Sequence, residues 1–286
     1  MGEPIARRLL SAGHELTVFN RTPGRARHLV EQGAGEVLSP RDVWESADAC
    51  ITMVTDDKAL RGVTTGEAGV LVSPPAGRIV IDMSTVSPAT SAELAAAAEE
   101  AGVVFLRAPV SGNPSVVEAG NLGIMVSGDE EAYRQVKPML RDIGPNVFYV
   151  GGGDEARVMK LALNLMIAGT AELMAEALVL GEASGLDRAI MLEVMGASAV
   201  GSPFVKYKTA ALVRDDYAAT FPTSAMAKDL GLALDSGSSA GVPLPVTALV
   251  RGLLEDCISS GMSDMDFMAL VPRLQREAGL EPAVKP

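Results

Sequence analysis

One uninterrupted helical pattern constrains the fold of this chain more than any other stretch. It lies between Gly151 and Gly185, contains no proline, and is dominated by Ala, Leu, Met and Glu, which are strong helix formers. The pattern predicts a helix over residues 155–184, roughly 45 Å long at about 1.5 Å per residue. Because this helix is apolar on nearly every side, we expect other helices or a second chain to cover it.

Two polar residues interrupt the apolar stretch. Lys160 and Asn164 are four residues apart, a spacing that places both side chains on one face of a helix. One interpretation is a lysine whose alkyl stem is buried while its ammonium group reaches solvent. The other is a lysine with a lowered pKa in a cleft, acting as a general acid/base that Asn164 positions. The spacing alone leaves both interpretations open.

Length and charge limit the kinds of partner. The chain has 286 residues and a net charge of −12, so we expect one large or two smaller domains with an acidic surface. Such a surface repels nucleic acid and acidic lipid, and no basic run offsets it. Neither a signal peptide nor an uninterrupted apolar run of about eighteen residues is apparent, so we expect no membrane partner.

Cysteine and histidine are scarce. Cys50 and Cys257 lie far apart in the sequence without the spacing of metal ligands, which is typical of a reducing, cytoplasmic compartment. The only histidines are His14 and His28. We therefore expect no metal site, and neither a Ser-His-Asp nor a histidine–metal mechanism.

Strand and helix patterns alternate along the first half of the chain. Strands are predicted at 15–20, 48–55, 78–85, 103–110, 122–128 and 146–150, with helices at 4–12, 89–101 and 130–141 and a turn followed by a helix within 21–34. Alternation of this kind predicts an α/β, Rossmann-type doubly wound sheet, here over residues 1–150. No strand pattern follows Gly153, so residues 151–286 are predicted to form an all-helical substrate and dimerisation domain, linked through the helix 155–184.

The start of the chain departs from the usual dinucleotide-binding pattern. That pattern is a strand, then Gly-x-Gly-x-x-Gly, then a helix. Here Met1 and Gly2 lead directly into a helix, so Gly2 matches the third glycine, while the first strand and part of the glycine loop are missing. We expect either a start placed too late or a shortened chain, with open strand edges at 15–20 and 48–55, weaker cofactor binding and lower stability.

A short polar turn favours NADP over NAD. Asn20, Arg21 and Thr22 follow the first predicted strand, where NAD-binding folds place an acidic residue on the ribose hydroxyl. Asn20 carries no charge to repel a 2′-phosphate, and Arg21 can bind one with two hydrogen bonds. A plain polar turn is the alternative.

Several stretches in a fixed order resemble one enzyme family. They are ARRLLSAGHELTVFNRT at 6–22, MVTDD at 53–57, IDMSTVSP at 81–88, APVSG at 108–112, KLALN at 160–164, and KDLGLAL with GVPLP within 228–245. In this order and spacing they resemble the β-hydroxyacid dehydrogenases, which include 3-hydroxyisobutyrate dehydrogenase, tartronate semialdehyde reductase and the glyoxylate/succinic semialdehyde reductases. The architecture is also related to the much longer 6-phosphogluconate dehydrogenases. The resemblance covers nearly the whole chain and favours the catalytic interpretation of Lys160.

The resemblance implies a role for each matching residue. Lys160 is expected to move the proton at the substrate oxygen, with Asn164 holding that oxygen or the lysine. The loop of Ser111, Gly112 and Asn113 is expected to bind the substrate carboxylate. Residues expected at the cofactor are Gly2, Asn20, Arg21, Thr22, Val54, Thr55, Thr85 and Lys228. Asp229 is expected to be structural.

Two departures from the family pattern concern the substrate. Many relatives have an aspartate at the position of Arg107 and a second glycine at Asn113, which Pro114 follows here. Because proline removes an amide donor, we expect a reshaped carboxylate loop.

The sequence therefore predicts an NADP-preferring oxidoreductase, with NAD as a possible second cofactor, that interconverts a small β-hydroxyacid or related alcohol with its semialdehyde or ketone. One alternative is an imine or other carbonyl reductase on the same scaffold. Another is a non-catalytic dimeric relative with impaired cofactor binding. A homodimer or homotetramer formed through the helical domain is expected, because the residues after helix 155–184 are too few to cover it.

Overall fold

The computed structural model describes residues 1–280, and the chain divides into two compact units, Met1–Lys160 and Leu161–Pro286. The predicted helical region 151–286 thus ends in six residues outside the described part. The strands are β1 Thr17–Val18, β2 Gly35–Glu36, β3 Ala49–Thr52, β4 Ile79–Asp82, β5 Val104–Arg107, β6 Val110–Ser111, β7 Gly123–Ser127 and β8 Asn146–Gly151. The helices of the first unit are α1 Gly2–Ser11, α2 Arg27–Val30, α3 Asp57–Thr64, α4 Pro88–Glu100, α5 Pro114–Glu118 and α6 Glu130–Ile143.

A six-stranded mixed sheet forms the centre of the first unit. Its order is β3-β4-β5-β7-β6, with β8 also paired to β7. Strands β3, β4 and β5 are parallel, as are β7 and β8, whereas β7 runs antiparallel to β5 and β6. The predicted Rossmann-type, doubly wound fold is confirmed.

Helices cover both faces of this sheet. Successive side chains of a strand point to opposite faces. Ile79 and Ile81 of β4 pack in one core cluster with Ile5 of α1 and Leu140 of α6. Val80, between them, packs in a second cluster that includes Leu60 and Leu94. All four residues of β4 are buried, as expected for a strand covered on both faces.

The first two strands form a separate pair. Within residues 1–280, β1 pairs in parallel with β2 alone, and β3 pairs with β4 alone. Each of β1 and β3 therefore has one edge without a strand partner, as the sequence predicted for 15–20 and 48–55. A side-chain hydrogen bond of 2.9 Å between Thr17 Oγ1 and Ser46 Oγ connects β1 to the segment just before β3. The effect of these edges on cofactor affinity and stability stays a prediction.

Short polar residues begin the helices that follow the strands. Ser87 caps α4, since its hydroxyl accepts a hydrogen bond of 3.1 Å from the Thr90 amide, and Pro88 occupies the first turn. Proline suits this position because the first amides of a helix have no partner within it. The observed helix begins and ends one residue before the predicted 89–101.

The second unit is helical, as predicted. The long helix α7, Glu155–Ala183, begins in the first unit and continues into the second, ending one residue before its predicted end. It is followed by α8 Arg188–Ala197, α9 Pro203–Val213, α10 Thr223–Ser239, α11 Pro245–Cys257 and α12 Leu270–Glu277. The only β-type pairing among residues 161–280 is one isolated bridge between Pro222 and Asp266.

One side of α7 is buried in the core of the second unit. Ala168, Ala171, Ala175 and Leu178 are buried in the core. On the other side, a row of four large apolar side chains spaced seven residues apart is 39–71% exposed: Met159, Met166, Leu173 and Leu180. We call this row the α7 seam. The exposure of this row among residues 1–280 is consistent with cover by a second chain, which stays a prediction.

Candidate active site

Two loops predicted to contact the cofactor lie side by side in the first unit. Val54 and Thr55 follow β3, and Ser84 and Thr85 follow β4. The Val54 amide donates a hydrogen bond of 3.0 Å to Ser84 Oγ, which ties the loops together. Both lie at the carboxyl ends of neighbouring parallel strands, where this class of fold binds its ligands.

The turn after β1 presents hydrogen-bond donors. The Thr22 amide donates to Asn20 Oδ1 at 3.0 Å, so the asparagine oxygen is used within the turn and its amide nitrogen remains as a donor. Asn20, Arg21 and Thr22 are all exposed. A donor-rich turn with a guanidinium group and no carboxylate fits the 2′-phosphate of NADP.

Gly2 begins α1 beside the carboxyl end of β3. A Cβ added to Gly2 would lie 3.8 Å from Met53 Cγ, an ordinary contact distance. Close packing therefore does not require glycine here. The position does bring the amino end of α1, with its partial positive charge, next to the strand end that leads to Val54.

The predicted carboxylate loop has a restricted backbone. Gly112 has φ 141°, and an added Cβ would lie 2.8 Å from Val116 Cγ1, so glycine is required for two independent reasons. Asn113 caps the short helix α5: its Oδ1 accepts hydrogen bonds from the Val116 amide at 3.0 Å and the Ser115 hydroxyl at 2.7 Å.

Asn113 and Pro114, the two residues of this loop that depart from the family pattern, form the start of helix α5. Pro114 occupies the first position of α5, where a missing amide costs no helical hydrogen bond. The Asn113 side chain is buried and its oxygen is committed to the cap. A substrate carboxylate would then be left with the Ser111 hydroxyl, the Asn113 amide nitrogen and backbone amides. Whether Ser111, Gly112 and Asn113 bind substrate stays a prediction.

Lys160 and Asn164 lie one turn apart on α7, as their spacing predicted. Asn164 is buried, and its Nδ2 donates a hydrogen bond of 2.6 Å to Asp229 Oδ2 on α10. The other carboxylate oxygen of Asp229 lies 3.0 Å from Lys228 Nζ. One buried carboxylate thus holds two of the side chains predicted for the site.

Asp229 and Arg107 are the residues whose connections the sequence did not reveal. Asp229 is expected to be structural, and in the structure it holds Asn164 by this hydrogen bond. Arg107 was considered only for its effect on the carboxylate loop, and it is buried with its Nε 2.8 Å from Asp154 Oδ1. For Asp229, the only sequence feature that pointed to the site was its position next to Lys228. Among residues 1–280, no three His, Cys, Asp or Glu side chains are arranged to hold a metal ion.

Known proteins match this chain over nearly its whole length. A family model described as the NAD binding domain of 6-phosphogluconate dehydrogenase matches residues 1–151. Another, described as NAD-binding of NADP-dependent 3-hydroxyisobutyrate dehydrogenase, matches residues 154–274. Glyoxylate/succinic semialdehyde reductase 2, chloroplastic, of Arabidopsis thaliana is 32% identical over 275 residues, which is 96% of this chain and 77% of the relative.

The chain belongs to the β-hydroxyacid dehydrogenase family. The crystal structure of 3-hydroxyisobutyrate dehydrogenase from Salmonella typhimurium has a TM-score of 0.86 and 27% identity over 94% of this chain and 95% of that chain. An imine reductase from Pseudomonas sp. has a TM-score of 0.62 and 22% identity over 96% of each chain, which shows a shared fold alone. As a β-hydroxyacid dehydrogenase family member, the protein is an NAD(P)-dependent oxidoreductase acting on CH–OH groups.

Proposed function

We propose that this protein interconverts a small β-hydroxyacid, or a related alcohol, with its semialdehyde or ketone, using Lys160 as the general acid/base. The observation that carries the proposal is the pairing of Lys160 with Asn164 on one face of α7, where Asp229 fixes the asparagine amide at 2.6 Å. This hydrogen bond sets the orientation of the Asn164 amide.

The residues present fit NADP at its ribose and phosphate contacts. Asn20, Arg21 and Thr22 would hold the 2′-phosphate, and the loops with Val54 and Thr85 would hold the nicotinamide side. The cofactor, when bound, supplies or accepts the hydride. Arg21 carries the preference for NADP, because a guanidinium can bind a phosphate through two parallel hydrogen bonds.

The protein's own part in the reaction is proton transfer and orientation. During reduction, Lys160 Nζ donates a proton to the substrate carbonyl oxygen as that oxygen gains charge. During oxidation, the same nitrogen accepts the hydroxyl proton. The Ser111 hydroxyl and nearby backbone amides hold the substrate carboxylate. A positioned acid/base of this kind contributes about 10²–10⁴ in rate.

A substrate screen tests the proposal. Small β-hydroxyacids with NADP, and semialdehydes with NADPH, are compared with cyclic imines under the same conditions, using Lys160→Ala as the control. Turnover of a hydroxyacid or semialdehyde that Lys160→Ala abolishes supports the proposal. Turnover of imines alone would replace it with the reductase alternative, and a chain that binds no cofactor would leave the non-catalytic alternative.

We propose a two-fold homodimer in which the α7 seams of two chains pack together. The row of Met159, Met166, Leu173 and Leu180 has the seven-residue repeat of a helix–helix seam. Gly169 lies at its middle, and a Cβ added there meets no atom within 4 Å. Glycine inside a helix costs about 1 kcal/mol relative to alanine, so its presence suits the close approach of a second backbone.

A two-fold axis near Gly169 makes the seam self-complementary. An antiparallel arrangement places Met159 against the partner's Leu180 and Met166 against the partner's Leu173, as an isologous interface requires. By length and composition α7 would also suit a membrane span, although 44% of the relevant window is buried. We propose that a second copy of the chain, and not a membrane, covers the α7 seam.

Sedimentation without detergent tests the dimer. The unaltered chain is expected to sediment as a dimer, or as a tetramer built from dimers, at micromolar concentration. Leu173→Glu is expected to shift it toward monomer, whereas Val246→Glu, an exposed position on α11, leaves the mass unchanged. A monomeric unaltered chain, or material recovered only in detergent, would refute the proposal.

We propose a reducing, cytoplasmic location. Cys50 and Cys257 are both free thiols, as is usual for proteins of a reducing compartment. Fractionation of cells followed by detection of the protein tests the location, and recovery from an oxidising compartment would contradict it.

A further inference from the structure

Four charged side chains, three of them buried, meet at the start of α7. They are Asp82 at the end of β4, Arg107 at the end of β5, Asp154 just before α7, and Arg157 in its first turn. Asp82, Arg107 and Arg157 are between 0% and 8% exposed, and Asp154 is partly buried. The neighbouring hydroxyl of Ser91 on α4 is also buried. We call these five residues the tether cluster.

Arg157 connects α7 to three points in the first unit. Its guanidinium forms an ion pair with Asp82, donates to the Ser84 carbonyl oxygen at 2.6 Å, and donates from Nε to Ser91 Oγ at 3.2 Å. Asp82 is held in turn by the Thr52 hydroxyl, at 2.7 Å. The guanidinium is therefore fixed in position and orientation by the ends of β3 and β4 and by α4.

Arg107 forms a second connection nearer the carboxylate loop. Its Nε donates to Asp154 Oδ1 at 2.8 Å and lies 3.3 Å from Ser91 Oγ. The Ser91 hydroxyl donates to the same Asp154 oxygen at 3.1 Å. Because Arg107 ends the strand that leads into residues 108–112, this connection links the carboxylate loop to the beginning of α7.

The tether cluster fixes the position of the first turn of α7 and is expected to add little to the free energy of unfolding. Its two cations balance its two anions, so it carries no net charge. Removing charges from water costs free energy that their attraction only partly offsets, so a buried ion pair is weak evidence for stability. A guanidinium with several acceptors in fixed directions does specify an orientation, because its donors form a rigid planar fork. The arrangement therefore defines where the first turn of α7 lies.

The first turn of α7 lies between the predicted acid/base and the two loops predicted to hold the cofactor. Lys160 is three residues after Arg157, on the adjacent turn of the same helix. Ser84, whose carbonyl oxygen Arg157 contacts, also accepts a hydrogen bond from the Val54 amide at 3.0 Å. One guanidinium thus joins the helix turn that bears the predicted acid/base to both loops predicted to hold the cofactor.

We propose that Arg157 is a positioning residue for proton transfer: it holds Lys160 at a fixed place relative to the cofactor loops, with the Arg107–Asp154 pair as a second tether. The proposal rests on the proposed function of Lys160. Small displacements of reacting groups lower the rate strongly, by up to about a hundredfold for roughly 1 Å. Loss of the tether should therefore slow the chemical step more than it weakens binding.

Arg157→Lys tests the proposal, because it keeps the charge and removes the fork. We expect the single-turnover rate of NADPH oxidation at saturating substrate to fall about ten- to a hundredfold, with KM for substrate and for NADPH changed by less than about threefold. Trp44→Phe is the matched control, since it removes another buried hydrogen bond of the same unit, 2.7 Å from Trp44 Nε1 to the Val70 carbonyl oxygen. It is expected to lower the thermal midpoint and leave the single-turnover rate unchanged.

A second variant separates charge balance from positioning. Arg157→Met combined with Asp82→Asn removes one cation and one anion, so the buried region stays neutral and the chain remains able to fold. A slowed single-turnover rate in this variant supports the proposal. A rate within about twofold of the unaltered enzyme, in either this variant or a folded Arg157→Lys, would overturn it.

The proposed roles of Lys160 and Arg157 are tested separately. If Lys160→Ala retains normal turnover, the proposed acid/base role fails. If Lys160→Ala abolishes turnover while Arg157→Lys does not slow the chemical step, only the positioning role of Arg157 fails.

Discussion

Asn164 and Asp229 are joined by a buried hydrogen bond of 2.6 Å between Nδ2 and Oδ2, across 65 positions of the sequence. The bond fixes which end of the asparagine amide faces away from α10. The same carboxylate lies 3.0 Å from Lys228 Nζ. Asp229 is thus the common support of two side chains that the sequence places in the active site.

Asp229→Asn is expected to lower turnover about tenfold, because a neutral acceptor holds the Asn164 amide less firmly than a carboxylate does. Steady-state kinetics and a thermal melt on the folded variant provide the measurement. Asp235→Asn, on the same helix, is the control and should keep normal turnover. Normal turnover in Asp229→Asn would show that the carboxylate does not orient Asn164 for catalysis.

Lys160→Ala is expected to lower turnover by about a hundredfold or more, since it removes the proposed proton donor and acceptor. Circular dichroism should show an intact fold. Lys206→Ala, which changes an exposed lysine of α9, should keep full activity. A folded Lys160→Ala with near-normal turnover would contradict the assignment.

Arg21→Ala is expected to weaken NADP binding by about 1.5–3 kcal/mol, the range for hydrogen bonds to charged groups, with little effect on NAD. Calorimetric titration with each cofactor measures the difference. Arg27→Ala removes an exposed arginine that pairs with Glu31 at 3.0 Å and should change neither affinity. An equal loss for both cofactors in Arg21→Ala would show that Arg21 does not bind the 2′-phosphate.

Gly112→Ala is expected to lower the free energy of unfolding by about 1–3 kcal/mol, because alanine is strained at this backbone conformation and its Cβ would lie 2.8 Å from Val116 Cγ1. The KM for the carboxylate substrate should rise as well. Gly252→Ala in α11, where an added Cβ meets no atom within 4 Å, should be neutral or stabilising. Equal melting behaviour of the two variants would argue against a restricted loop.

Glu172→Gln is expected to raise the thermal midpoint at neutral pH. Burial raises the pKa of Glu172 above its ordinary value of 4.5, and Arg273, 3.6 Å away, only partly opposes this. A carboxyl group whose folded pKa is raised contributes stability that is complete below the unfolded pKa and is lost as the pH rises through the folded pKa. The advantage of glutamine should therefore shrink as the pH falls toward 4.5.

Thermal melts of both forms between about pH 4 and 8 test this dependence. Glu193→Gln, which changes an exposed glutamate of α8, is the control and should show no such trend. A stabilisation by Glu172→Gln that is constant with pH would contradict the sign of the shift.

The local features of the protein follow from its sequence alone. Composition and the absence of proline determined α7 to within a residue at its end, and the four-residue spacing placed Lys160 and Asn164 on one face. The order of strand and helix patterns determined the Rossmann-type unit and the helical unit after it. The spacing of Lys160 and Asn164 involves neighbours on one helix, where backbone geometry sets the distances. The two units follow from the order in which strand and helix patterns occur along the chain.

Only the tertiary structure decided which distant side chains meet. Arg107 pairs with Asp154, 47 positions later, and Arg157 with Asp82, 75 positions earlier. Neither pairing has a local pattern, because both depend on which strand ends lie next to α7 once the sheet has formed. Burial then makes each pairing obligatory, since a charged group removed from water requires a partner. The sequence supplied the charges, and the packing of β4, β5 and the first turn of α7 selected their partners.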